Sequence, residues 1–238
     1  MRPEEGSTTT WHFEAGLTAR RDWLTGGSEL RPSLPFACCY VYAPHGEGVV
    51  SEGSRLVCER VKRSDPIWLP RYAGRVVELA VRAREFRGLF GRDVVLVPVP
   101  CSAPARPSSW SAWQLATALQ ALGLARSVWV GLQRQSPVRK SSTALVGERP
   151  TVREHYESFG VTGPPGVAAD RIVLVDDVIT KGRTLFAAAA RMQDALPHAD
   201  IRAFALIRTL GFLSRVDRLV APCQGFVRWA GGDAKREP

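Results

Sequence analysis

Two adjacent carboxylates, Asp176 and Asp177, stand directly after the apolar run Ile172, Val173, Leu174 and Val175. Thr180, Lys181, Gly182, Arg183 and Thr184 follow, and then an alanine-rich segment over 186–196. This order reads as a buried strand, an acidic tip, a hydroxyl- and glycine-bearing turn, and a helix. Ligands of open parallel sheets bind beyond the carboxyl ends of the strands. A helix N-terminus offers free N–H groups and a positive dipole end to an anion. The carboxylates would repel a phosphate and are better suited to accept hydrogen bonds from hydroxyls. A ligand with a phosphate at one end and a diol beside it, such as a ribose 5-phosphate, meets both demands.

The rest of the chain must position this turn. Residues 1–30 read as a polar, loosely attached segment. Over 35–61 short apolar runs alternate with turn residues, which predicts a small hairpin and a hood region spanning 31–70. Apolar positions at Tyr72, Val76, Leu79, Ala80 and Ala83 predict a helix over 71–86. The run DVVLVPVP at 93–100 predicts a buried parallel strand. Ser108 or Ser109 is placed to cap a helix running to Leu122, closed by Gly123, before a short strand at 127–132. Residues 133–170 show little periodicity and carry Arg134, Arg139, Lys140, Ser141, Ser142, His155 and Tyr156. Loops of that length in compact domains are usually functional lids or disordered segments. Thr184 is expected to cap the helix after the acidic motif, and 201–207 to form another buried strand. The pattern predicts an α/β fold: a Rossmann-like parallel sheet flanked by helices, with a small N-terminal hood. The main domain spans 71–230, with a polar tail at 231–238.

With 238 residues, the chain has room for one large domain or a domain with an appendage. Five scattered cysteines without a Cys-x-x-Cys pair argue against a zinc site and against a disulfide framework. No run approaches a membrane helix in length, so no membrane partner is expected. The opening residues lack the apolar stretch of a signal peptide, and the expected compartment is the cytoplasm. The net charge of +9 is compatible with a nucleic-acid partner, but no basic block or recognised motif supports one. It reads more simply as a general arginine bias, with some arginines facing an anionic substrate.

The stretch 172–184 resembles the signature of the type I phosphoribosyltransferases, which bind phosphoribosyl pyrophosphate (PRPP). Four apolar residues, two acids, two further residues and Thr-x-Gly-x-Thr match the family pattern. Lys181 stands where a small or hydroxyl residue is commoner. Arg183 stands where Gly or Ala is commoner and is similar to the pyrimidine-operon regulator branch. Val97-Pro98-Val99-Pro100, Gln114-Leu115-Ala116 and Lys62 look closest to the ComF-like branch, associated with bacterial DNA uptake. That branch commonly begins with a four-cysteine zinc ribbon, which this chain lacks.

The resemblance, over roughly residues 55–230, implies roles residue by residue. Asp176 and Asp177 would accept hydrogen bonds from the ribose hydroxyls. Thr180, Lys181, Gly182, Arg183 and Thr184 would hold the 5-phosphate. The side chains of Lys181 and Arg183 either join that anion site or point to solvent. Arg106 would contact pyrophosphate, and Arg139 and Lys140 in the lid would act as the catalytic clamp on the leaving group. Mg²⁺ would arrive with PRPP, and no dedicated protein metal site is expected. Tyr40, Tyr42 and Trp68 are available as stacking surfaces for a base, although aromatics at such spacing are more often core, and a homodimer is compatible. The implied activity is transfer of the phosphoribosyl group to a nitrogen acceptor with release of pyrophosphate. The alternatives are a non-catalytic PRPP- or nucleotide-binding regulator, an accessory protein in DNA uptake, or phosphorolysis, the same chemistry reversed.

Overall fold

Aliphatic runs that bury on both faces of a sheet define the architecture. The computed structural model describes residues 33–102, 109–139, 149–163, 169–213 and 215–238. In chain order the elements are β1 (Ser33–Tyr42), α1 (Val49–Lys62), α2 (Trp68–Arg82), β2 (Gly91–Pro98), α3 (Ser111–Ala121), β3 (Ala125–Val128), β4 (Leu132–Arg134), α4 (Val152–Ser158), β5 (Phe159–Val161), β6 (Arg171–Ile179), α5 (Arg183–Ala195), β7 (Asp200–Thr209), β8 (Val220–Ala230) and β9 (Asp233–Glu237). Seven strands form one sheet in the order β3-β2-β6-β7-β1-β8-β9. The first five in that order run parallel, β8 pairs antiparallel with β1, and β9 pairs antiparallel with β8. The fold is α/β with a mostly parallel central sheet flanked by helices. Among the described residues no helix is long and apolar enough to cross a membrane.

Each face of the sheet carries its own core. Leu174, Ile172, Val95 and Val97 meet the alanine-rich α5 on one face. Val173, Val175, Val94 and Leu96 meet α1, α2 and α3 on the other. The β2–α3–β3 and β6–α5–β7 crossovers therefore lie on opposite faces. At the amino-terminal edge of the strands Arg171 is structural: it donates to Asp93 Oδ2 and to the Gly88 carbonyl, both at 2.5 Å.

Three expectations are corrected. The hairpin over 35–61 does not form; β1 is an interior strand between β7 and β8, and Val49–Lys62 is a helix. Its inward face carries Ser51 and Ser54 beside Val57, Cys58 and Val61, so small polar residues hide the helical period. Ser54 Oγ donates to the Ser51 carbonyl at 2.7 Å and accepts from the Ala43 N–H at 3.1 Å. Of the two readings of the 40, 42 and 68 rings, the core one holds: Tyr40 is buried, and Tyr42 and Trp68 pack against the same cluster. The polar tail is also a strand. β8 turns into β9 through Gly231 and Gly232, both at positive φ (59° and 85°), which suits a two-residue hairpin turn.

Candidate functional site

β2 crosses over to β3 on one side, and β6 crosses over to β7 on the other. The sheet's direction of winding therefore reverses between β2 and β6. A crevice at such a reversal, beyond the carboxyl ends of the strands, is where open α/β sheets take ligands. The last ladder partners here are Pro98 and Val175, and the Val99 N–H reaches the Val175 carbonyl at 2.8 Å. The residue after Val175 is Asp176, so the acidic pair lies at this reversal.

Asp176 and Asp177 are partly buried. Ser111, at the start of α3, donates through Oγ to Asp177 Oδ2 at 2.8 Å. The N–H of Asp177 donates to Asp176 Oδ1 at 2.9 Å. Burial pushes the Asp176 carboxyl well above the usual carboxylate range, and the charge of Asp177 pushes it the same way. The Asp177 N–H bond and the charge of Lys62, in the last turn of α1, oppose that rise. Two crowded acids favour a further cation or a set of hydroxyl donors. Among the described residues no group of three or more His, Cys, Asp or Glu side chains gathers as a metal site.

The 180–184 turn is shaped by Gly182, which is left-handed at φ 85° and ψ 9° and stands at the N-cap of α5. The helix consequently begins two residues earlier than expected. Thr184 does not cap it; its hydroxyl lies 3.3 Å from His155 Nε2 instead. Thr180 Oγ1 lies 3.2 Å from Thr209 Oγ1 at the end of β7. No side chain caps α5, and its first turn carries no acid. Both features leave the positive end of the helix to an anion.

The side chains of Lys181 and Arg183 turn towards Asp233 at the start of β9. Arg183 grips Asp233 with two bonds of 2.5 Å and also donates to the carbonyls of Arg149 and Pro150 at 3.3 and 3.2 Å. Lys181 Nζ lies 3.7 Å from Asp233 Oδ2. Burial alone would raise the Asp233 carboxyl, but Arg183, the Ala234 N–H and Lys181 together hold it below the usual range. Arg183 thus pins the turn to the β8–β9 hairpin. Nothing near 180–184 in sequence announces this contact; the Gly231-Gly232 pair was its only local signal.

A second network joins Arg134 and His155, whose pairing the sequence did not show. His155 is 3% exposed, sits against Phe159, and lies 3.4 Å from Arg134 Nη1 through Nδ1. Arg134 donates through Nε to the Cys101 carbonyl at 3.1 Å, bonds Ser158, and stacks over the Phe159 ring. Burial lowers its pKa to about 10, while Cys101 and Asp176 pull the other way. A fixed guanidinium therefore stands within electrostatic reach of the acidic pair. Burial lowers the His155 pKa to about 4, with the charges of Arg134 and Arg183 adding to the effect and Glu154 opposing it.

A histidine neutral in the fold and protonated when unfolded contributes stability above its unfolded pKa of 6.5 that is lost as pH falls towards 4. Over that window wild type is expected to lose about 3 kcal/mol from this residue. His155→Gln, measured by urea unfolding at pH 7 and pH 4.5, is expected to flatten the slope. An equal slope in both proteins would contradict the assignment.

Arg139 is exposed, and its charge acts on Glu154 at the start of α4. The neighbouring Val138 N–H reaches the Ser102 carbonyl at 2.9 Å, which joins the loop after β4 to the loop after β2. Lys140 and Arg106 lie outside the described residues. The structure thus brings Asp176, Asp177, Thr180, Gly182 and Thr184 to one edge, adds Ser111, Lys62 and Arg134, and commits Arg183 to Asp233. Compared with models of known protein families and with curated proteins, the chain matches none.

Proposed function

We propose that the chain is a type I phosphoribosyltransferase-like protein that binds PRPP at the crevice between β2 and β6. One observation carries the reading. An acidic pair at the winding reversal leads through a left-handed glycine turn into an uncapped helix N-terminus. That edge offers hydroxyl acceptors and an anion site a few residues apart, as a ribose 5-phosphate requires.

In this reading the N–H groups of 180–184 take the 5-phosphate, with the hydroxyls of Thr180 and Thr184 beside it. Asp176 and Asp177 accept from the ribose hydroxyls, and Ser111 orients Asp177. Arg134 and Arg139 supply positive charge to the pyrophosphate, and the resemblance assigns Lys140 and Arg106 to the same task. A nitrogen nucleophile forms the new bond to C1 as the C1–oxygen bond breaks. The electron pair leaves with pyrophosphate, and the proton of the acceptor passes to solvent. Catalysis is positioning plus stabilisation of charge on the leaving group. The repulsion within the acidic pair suits a cation, and Mg²⁺ carried by the substrate would neutralise pyrophosphate charge, with Asp176 and Asp177 as the nearby carboxylates.

A PRPP-sensing regulator is the second reading, favoured by the net charge of +9. A screen of nucleobases and amines for pyrophosphate release in the presence of PRPP and Mg²⁺ separates the two. Release with one acceptor class is the expected result. Binding of PRPP without release for any acceptor would favour the sensor.

A further inference from the structure

Cys38 and Cys223 are directly opposed partners in the antiparallel ladder between β1 and β8. Residues so placed project from the same face, with Cα atoms about 4.5–5.5 Å apart. That spacing falls inside the range of about 4.4–6.8 Å that a disulfide spans. The two already interact: Cys38 Sγ donates to the Cys223 carbonyl at 3.7 Å, while Cys223 Sγ donates to the Gln224 carbonyl at 3.6 Å. Cys38 is fully buried and Cys223 is partly exposed, so one sulfur of the pair is reachable from solvent. The other cysteines stand apart. Cys39 and Cys58 lie in the core on the opposite face, and Cys101 follows β2.

We propose that Cys38 and Cys223 form a redox modification site, a dithiol that peroxide closes to a disulfide, with Cys223 the attacking sulfur and Cys38 the resolving one. The inference is independent of the PRPP reading. The charged surroundings support the division of roles. The neighbouring Cys38 thiol, Arg208 and Arg236 together hold the Cys223 thiol down at about 6, against burial and Glu85. Burial pushes Cys38 well up. Arg236 also donates to the carbonyls of Ile179 and Thr209 at 2.9 and 2.6 Å. The thiol pair therefore lies behind the strand ends that lead into the 180–184 turn.

The chemistry balances with a hydroperoxide as oxidant. Cys223 loses its proton to solvent, and its thiolate attacks one peroxide oxygen. The O–O bond breaks, and the departing hydroxide takes up a proton to become water. The sulfenic acid left on Cys223 is then attacked by Cys38. The S–S bond forms, the S–O bond breaks, and hydroxide leaves with the Cys38 proton as a second water.

The test uses the full chain, reduced and then exposed to hydrogen peroxide. After quenching, the remaining thiols are alkylated in denaturant and peptides are mapped by mass spectrometry. The expected result is a Cys38–Cys223 linked peptide with Cys39, Cys58 and Cys101 still alkylated. Without peroxide, iodoacetamide at pH 7 is expected to modify Cys223 about ten-fold or more faster than Cys101, whose thiol burial raises. Cys101→Ser is expected to retain the linkage. Over-oxidation of Cys223 with Cys38 still alkylatable, linkage through Cys101, or oxidation of Cys101 before either partner would overturn the proposal.

Discussion

Replacing Asp176 and Asp177 together by asparagine is expected to weaken PRPP binding about 100-fold or more while leaving the fold intact. A hydrogen bond to a charged acceptor contributes about 1.5–3 kcal/mol, and two are lost in their charged form. The fold survives because an asparagine carbonyl still accepts from Ser111 Oγ and from the N–H at 177. Asparagine at 176 is also expected to stabilise the free protein relative to wild type increasingly as pH rises. Burial and Asp177 raise the Asp176 carboxyl in the fold, so the folded state holds its proton longer than the unfolded chain. That contribution is fully present below the unfolded pKa and is lost as pH rises through the folded one. Asp176→Asn removes the loss. Its melting temperature should exceed wild type at pH 8 and converge with it in acid. Calorimetric titration and a pH series of melts check both halves. Unchanged PRPP affinity would remove the acidic pair from the site.

Gly182→Ala is expected to lower the melting temperature by about 5–15 °C and to weaken anion binding at the same turn. An alanine held at a left-handed φ costs about 1–2 kcal/mol. Its Cβ would also lie 2.6 Å from Val227 Cγ2 and 2.8 Å from Cγ1. With the clash, the total comes to about 2–4 kcal/mol, and each kcal/mol moves the midpoint of a domain this size by about 2–4 °C. A double-mutant cycle with Val227→Ala isolates the clash: Gly182→Ala should cost less when residue 227 is alanine. Additive effects would show that the β8–β9 hairpin does not press on the turn.

The contrast between these two sites follows what the sequence makes legible. Asp176, Asp177 and Gly182 were readable because strand, acids, turn and helix lie in one continuous stretch. β2 and β6 were readable for the same local reason, as unbroken aliphatic runs. The helix α1 was not, because Ser51 and Ser54 occupy its buried face and satisfy backbone groups there. Asp233 as the partner of Arg183, and His155 as the partner of Thr184, depend on elements packed from 50 and 29 residues away. No local periodicity encodes such a pairing. The strand, acidic turn and helix of this stretch were thus legible, while the supports that hold the turn were tertiary.

The central claim is that the edge formed by Asp176, Asp177 and the 180–184 turn is a phosphoribosyl site. Thermal unfolding with PRPP and Mg²⁺ tests it most directly, because a ligand that binds only the folded state raises its midpoint. At a concentration about 100 times Kd, the stabilisation is about 2.7 kcal/mol. For a domain of this size that is a shift of about 5–10 °C. The predicted result is such a shift with millimolar PRPP, a smaller one with ribose 5-phosphate, and none for Asp176→Asn/Asp177→Asn. No shift for wild type, or an equal shift for the double variant, would contradict the account.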